Sequence, residues 1–144
     1  MKEIIWEWNP WWEQDYHFSG ISRNITTRIQ EWIPRKEIVA VLGVRRSGKT
    51  TLLGEVIDYL LHQQKVSAEN ILFIKADDER IEKKNLINAV LQEYYRWKNP
   101  RGKVFIFIDE IQEIEGWEKT LKRIYDLEHP TKKMFISGSN AFLL

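Results

Sequence analysis

Residues 38–53 read Ile-Val-Ala-Val-Leu-Gly-Val-Arg-Arg-Ser-Gly-Lys-Thr-Thr-Leu-Leu, and the stretch changes character twice. Ile38 to Leu42 is an unbroken apolar run, the pattern of a strand buried on both faces of a parallel sheet. Gly43-Val44-Arg45-Arg46-Ser47-Gly48-Lys49-Thr50 then satisfies G-x-x-x-x-G-K-[ST]. From Lys49 onward, Leu52, Leu53, Val56, Ile57, Leu60 and Leu61 make one wide apolar helix stripe. A glycine loop between a buried strand and a helix is the setting in which backbone N–H groups can cradle phosphate.

Each residue type has a task in such a loop. The glycines let the N–H groups turn inward, and the helix N-terminus adds partial positive charge. Lys49 bridges the β- and γ-phosphates, and Thr50 offers its hydroxyl to Mg²⁺. Gly43, Arg45, Arg46, Ser47, Gly48, Lys49, Thr50 and Thr51 are therefore the expected nucleotide-binding residues. Arg45 and Arg46 also have a plainer reading, as solvated basic residues on a loop.

Downstream, Val104 to Ile108 is the most apolar run in the chain and delivers Asp109 and Glu110 to its carboxyl end. In open α/β sheets that end is where ligands bind. This is the Walker B pattern: Asp109 with Thr50 for the metal, and Glu110, one residue on, to polarise the attacking water. A second acid favours hydrolysis over transfer to a metabolite. Gln112 reads as a solvated loop amide. A last apolar stretch, Met134 to Ile136, runs into Ser137-Gly138-Ser139-Asn140. Ser139 and Asn140 are candidates for sensing the γ-phosphate, although S-G-S-N is also ordinary turn chemistry.

Between these sites, Ile71 to Ile74 predicts a strand, and Leu86, Ile87, Val90, Leu91 and Tyr94 mark a helix. Trp117, Leu121, Ile124 and Tyr125 mark another. Upstream, Ile25, Ile29 and Trp32 recur at helical spacing after Ser22, a plausible N-cap. Strands alternating with helices predict an α/β domain with a mainly parallel sheet.

Residues 1–20 stand apart, with Trp6, Trp8, Trp11 and Trp12 crowded around Asn9-Pro10 and little periodicity. They read as an arm rather than a helix, packed over the sheet or the nucleotide pocket in preference to nucleic acid. Arg96, Lys98, Arg101 and Lys103 read as a solvated basic loop.

Composition excludes several classes. The 144 residues carry 22 Lys and Arg against 21 Asp and Glu, a net charge of +1, so nucleic-acid binding is not indicated by charge. Cysteine is absent, which excludes disulfides and thiolate metal sites and suits a cytoplasmic protein. His17, His62 and His129 are dispersed and do not make a zinc site. No apolar run is long enough to suggest a membrane span.

With these residues in view, the chain resembles the archaeal and bacterial AAA-type P-loop ATPases, whose AAA+-like core is normally followed by a C-terminal domain. The resemblance rests on NPWW at 9–12, GVRRSGKTTLL at 43–53, FIDEIQEIEGWEKTLKRIYDL at 107–127 and ISGSNAFLL at 136–144. It implies a P-loop NTPase three-layer sandwich with strand order 5-1-4-3-2. The fifth strand and any arginine finger would be missing from a core that occupies residues 21–144 and stops after the fourth strand. It also implies that Ser137 and Ser139 lie beside the phosphates and that Asp77 or Asp78 points toward the site.

The functional expectation is a protein that binds ATP with Mg²⁺ and hydrolyses it to ADP and phosphate, using Glu110, Lys49, Ser139 and Asn140. The alternatives are a nucleotide-gated interaction module, which hydrolyses only when a protein partner, a second copy or a C-terminal segment completes the site, and a small-molecule phosphotransferase.

Overall fold

Four short runs become four parallel strands, and the inner ones bury side chains on both faces once helices cover the sheet. The computed structural model describes residues 1–18, 25–43 and 48–139, with the side chains of 25–27 outside that description. In chain order the elements are α1 (Lys2–Trp8), α2 (Ile25–Trp32), β1 (Val39–Gly43), α3 (Lys49–His62), β2 (Ile71–Lys75), α4 (Leu86–Lys98), β3 (Val104–Asp109), α5 (Trp117–Glu128) and β4 (Lys132–Ser139). Ser22 lies outside the described residues.

The sheet order is β1-β4-β3-β2, with every neighbouring pair parallel. β3 is buried at all six positions, and β4, inserted between β1 and β3, is nearly as enclosed. Alternation along the strands divides the core in two. Leu72, Ile74, Ile106, Ile108, Met134 and Ile136 meet α1, α4 and α5 on one face. Ile71, Phe105, Phe107 and Phe135 meet α2 and α3 on the other, with the Phe107 and Phe135 rings stacked at 4.6 Å. The result is the three-layer α/β sandwich expected of a P-loop NTPase.

Two expectations about the strands need correction. β1 is not buried on both faces: its positions alternate between half-buried and exposed, and Leu42 is 52% exposed. It pairs only with β4 among the described strands, so its outer edge borders an apolar groove of about 430 Å³ floored by Ile38 to Leu42 and flanked by Trp32. Ser137 to Ser139, read as turn chemistry, are instead the last residues of β4. The register pairs Gly43 with Ser139 and Val41 with Ser137, so the strand carries its polar end beside the start of the glycine loop.

The tryptophan arm is also more ordered than its sequence suggests. Lys2–Trp8 is helical, and Pro10–Trp12 is a single 3-10 turn. Seven residues are too few to hold a helix by propensity, so tertiary burial stabilises it. Ile5 is completely buried, while Trp8 and Trp11 enter the cores on opposite faces of the sheet. The arm thus wraps the β2 edge. Its side chains also pair the outward backbone groups of that edge: Asn9 Oδ1 accepts from Phe73 N–H at 2.6 Å, and Asn9 Nδ2 donates to Phe73 O at 3.1 Å. The indole N–H groups of Trp11 and Trp12 both donate to Ile71 O at 3.0 Å. An unpaired strand edge is a template for aggregation, and this one is covered.

The basic cluster is only partly solvated. Lys98 Nζ sits 3.9 Å from the Trp6 ring centre and 4.8 Å from that of Trp12, and Trp12 stacks on Tyr94 at 5.8 Å. These rings make internal contacts within the arm and with α4.

A second anchor joins the arm to the loop after β2. Asp78 accepts from Trp8 Nε1 at 2.9 Å and from Arg80 at 2.7 and 3.0 Å, and Arg80 also reaches Glu7 at 2.9 Å. The Arg80 hydrogen bonds, opposed by burial and assisted by Trp8, hold the Asp78 carboxyl well below the ordinary carboxylate range. Because the folded-state value lies below the unfolded one, the stabilisation is complete above the ordinary range and is lost as pH falls through it. Wild type is therefore expected to lose melting temperature more steeply than Asp78→Asn between about pH 5 and pH 2. Parallel slopes for the two proteins would remove Asp78 as the cause.

Candidate active site

At the carboxyl ends of the strands, Gly48 adopts a left-handed conformation (φ 90°) and caps α3. This conformation is easy for glycine and costly for residues with a Cβ. It sets Lys49 in the first turn of the helix, where the side chain is buried. Lys49 Nζ donates to Gly43 O at 3.1 Å and Ser139 Oγ at 3.3 Å, and lies 3.1 Å from Glu110 Oε1. Ser139 Oγ in turn donates to Glu110 Oε2 at 3.2 Å. Three separate elements thus meet at one ammonium group.

Asp109 and Glu110 leave the end of β3 in different directions. Glu110 is left-handed (φ 56°), a conformation that costs a non-glycine residue about 1–2 kcal/mol and needs surrounding contacts to persist. Ser137 supplies one: its Oγ accepts from Glu110 N–H at 3.0 Å and donates to Asp109 Oδ1 at 2.5 Å. Thr50 Oγ1 donates to Asp109 Oδ2 at 3.0 Å. Gln112 Nε2 donates to Glu110 Oε2 at 2.6 Å, while its Oε1 accepts from Ser139 N–H at 3.4 Å.

The two acids differ electrostatically. Burial pushes the Asp109 carboxyl up, against the hydrogen bonds from Ser137 and Thr50, and the charges of Asp77 and Glu110 push in the same direction as burial. Burial also works to raise Glu110, but Gln112 and Lys49 outweigh it and hold that carboxyl below its ordinary value. Glu110 is therefore a carboxylate at neutral pH and an acceptor for a proton. The cleft in front of these groups has a volume of about 400 Å³ and is lined by Lys49, Thr50, Thr51, Asp77, Asp109 and Glu110. Three carboxylates and a hydroxyl around one cavity match the hard oxygen donors that Mg²⁺ prefers. A second, aromatic cavity of about 260 Å³, with Trp11, Tyr16 and Phe18 in its walls, shares Thr50 and Thr51 with the cleft.

Gly43, Gly48, Lys49, Thr50, Asp109, Glu110 and Ser139 are thus gathered at one place, with Thr51 on the wall. Arg45, Arg46, Ser47 and Asn140 lie outside the described residues. Of the two acids after β2, Asp77 lines the cleft beside Lys75 at 3.3 Å, whereas Asp78 turns to the arm. Gln112 is no solvated amide, since it clamps Glu110. Ser137 holds both acids. Its alternation with Ser139 on β4 was the available signal, because residues two apart on a strand share a face.

The model of the family described as AAA domain matches residues 35–144. The chain belongs to the AAA domain family. An ATPase-like, nucleotide-binding function goes with that membership. Among curated proteins, it is 36% identical over 110 residues to an "Uncharacterized protein" of Haemophilus influenzae (strain Rd), covering 74% of this chain and 26% of the relative. It is 32% identical over 126 residues to "Uncharacterized protein MJ1544" of Methanocaldococcus jannaschii, covering 86% and 25%. This AAA domain chain therefore spans about a quarter of the length of these relatives. Among solved structures, C. elegans PCH-2 superposes with a TM-score of 0.55 at 13% identity, over 92% of this chain and 41% of that one, a likeness of fold. No helix among the described residues is long and apolar enough to cross a membrane.

Proposed function

We propose that this AAA domain binds Mg-ATP and hydrolyses it to ADP and phosphate. The observation that carries the reading is the convergence of Lys49, Thr50, Asp109 and Glu110 on one cleft, with Lys49 and Glu110 in contact. Thr50 and Asp109 would hold Mg²⁺, which when bound neutralises charge on the phosphate oxygens. The protein's own part starts at Lys49. A γ-phosphate offers more negative charge than one carboxylate, so Lys49 exchanges Glu110 for phosphate oxygens and frees the carboxylate. Glu110 accepts a proton from the attacking water as the new P–O bond forms and the bond to the β-phosphate oxygen breaks, releasing ADP. Ser139, within reach of both Lys49 and Glu110, relays that exchange, and Asn140 is assigned to the γ-phosphate with it. Residues 21–144 are taken as the ATPase core and 1–20 as the arm that clamps β2. Absence of cysteine supports a cytoplasmic setting.

A second reading has support of its own. Glu110 is held by Lys49, Gln112 and Ser139 together. A partner, a second copy or a further segment of the protein would then be needed to release the carboxylate, making the domain a nucleotide-gated module.

Lys49→Ala tests the cradle itself. Nucleotide affinity, read by tryptophan fluorescence, is expected to fall about 100-fold, the scale of losing a charge-assisted contact of roughly 3 kcal/mol. Wild-type affinity in that variant would overturn the nucleotide assignment, whichever of the two readings holds.

A further inference from the structure

His17 and His62 are far apart in sequence, yet the fold brings their imidazoles together. The rings stack with centroids 4.2 Å apart and 5° between planes. Asp58, four residues before His62 on α3, lies on the same helix face, and its Oδ1 is 3.4 Å from His62 Nε2. Tyr16 O lies 2.6 Å from the same nitrogen. Metal-binding atoms of His17, Asp58 and His62 all fall within 4.8 Å of one another. Dispersed in sequence, two of the three histidines are thus neighbours in the fold.

His62 Nε2 can carry a single proton, yet two oxygen acceptors crowd it. A cation answers both. We propose that His17, Asp58 and His62 form a binding site for a divalent transition-metal ion of the zinc class. Two imidazole nitrogens and one carboxylate are a borderline-soft donor set, favouring Zn²⁺ over Mg²⁺ or Ca²⁺, and water completes four-coordination. The stacked rings must turn to aim both lone pairs at one ion. His17 has the room, because its side chain is 68% exposed.

The consequence of such a site is mechanical. It clips the segment that ends the arm onto α3, the helix whose first turn carries Lys49 and Thr50. The seat for that segment already exists: a Cβ at Gly54, inside α3, would meet the Phe18 ring at 2.9 Å. Glycine in a helix interior is costly, and here its absent side chain leaves space for the ring. The ion would fasten His17 one residue away from that contact.

Calorimetric titration of the nucleotide-free, Mg²⁺-free chain with ZnCl₂ tests the site. One ion per chain is expected, with affinity on the order of micromolar or tighter, weakened roughly tenfold or more in His17→Ala and in His62→Ala and retained in Asp109→Asn. The melting temperature should rise by several degrees with zinc. Absence of saturable binding overturns the proposal. So does binding that both histidine variants keep and Asp109→Asn loses, which assigns zinc to the acid cleft. Cobalt provides a readout on the unaltered chain: intense visible bands of tetrahedral Co²⁺ are expected, and a weak octahedral spectrum overturns the site.

Discussion

Glu110→Gln is expected to reduce phosphate release from Mg-ATP by roughly 10²–10³-fold while leaving nucleotide affinity within a few-fold of wild type. The amide keeps the size of the side chain and its ability to accept a hydrogen bond from Gln112, but it takes no proton from water. Affinity should survive because Glu110 is not needed for phosphate contact. In the nucleotide-free site it competes for Lys49 at 3.1 Å, so removing its charge relieves a competitor. Binding in Glu110→Gln is expected to rise slightly for that reason, and the two effects then separate the proton-accepting role from the electrostatic one. Steady-state phosphate release beside fluorescence binding on the same samples reads both. Turnover equal to wild type would exclude Glu110 as the base. Binding without turnover in wild type would move support to the gated reading, in which Glu110 stays latched until something else completes the site.

That latch depends on geometry that the sequence conveys unevenly. The loop at 43–50 and the acids at 109–110 were legible because their chemistry demands fixed residue types next to a strand or a helix, and both requirements are local. The strands were legible because each apolar run is short and bounded. The role of Gln112 was not, since a glutamine two residues past an acid looks solvated until Glu110 takes a left-handed turn and brings the two side chains within 2.6 Å. Ser139 was a candidate and the family resemblance put Ser137 beside it, but the turn composition of S-G-S-N hid that both belong to a strand, where pairing with Val41 and Gly43 of β1 overrides it. His17 and His62 meet only through the docking of the arm on α3, which no local pattern encodes. The arm itself was misread as irregular. Its order comes from the tertiary burial of Ile5, Trp8 and Trp11, and period-based reading has no access to that.

The arm also gives the largest expected effect on stability, through Asn9→Ala. Asn9 is completely buried, and its amide does the work of a neighbouring strand: it accepts from Phe73 N–H, donates to Phe73 O and donates to Ile5 O at 2.8 Å. Alanine fills little of that space and leaves one buried donor and two acceptors without these partners. Each orphaned group costs about 1–3 kcal/mol, and partial access of water to the β2 edge reduces the sum, so a loss of about 3–4 kcal/mol is expected in urea unfolding. Asn9→Asp is no rescue, because a second carboxylate oxygen would face the carbonyls of Ile5 and Phe73 in place of the donating N–H₂. A loss under about 1 kcal/mol would mean that the edge of β2 is adequately solvated without the arm. Amide exchange at Phe73 localises the effect: it should accelerate in Asn9→Ala more than exchange in β3, which is enclosed between β2 and β4. The damage should also reach the cleft. β2 ends at Lys75, two residues before Asp77, so a β2 edge loosened at Phe73 lets the acid that faces Asp109 drift from the position the arm now fixes.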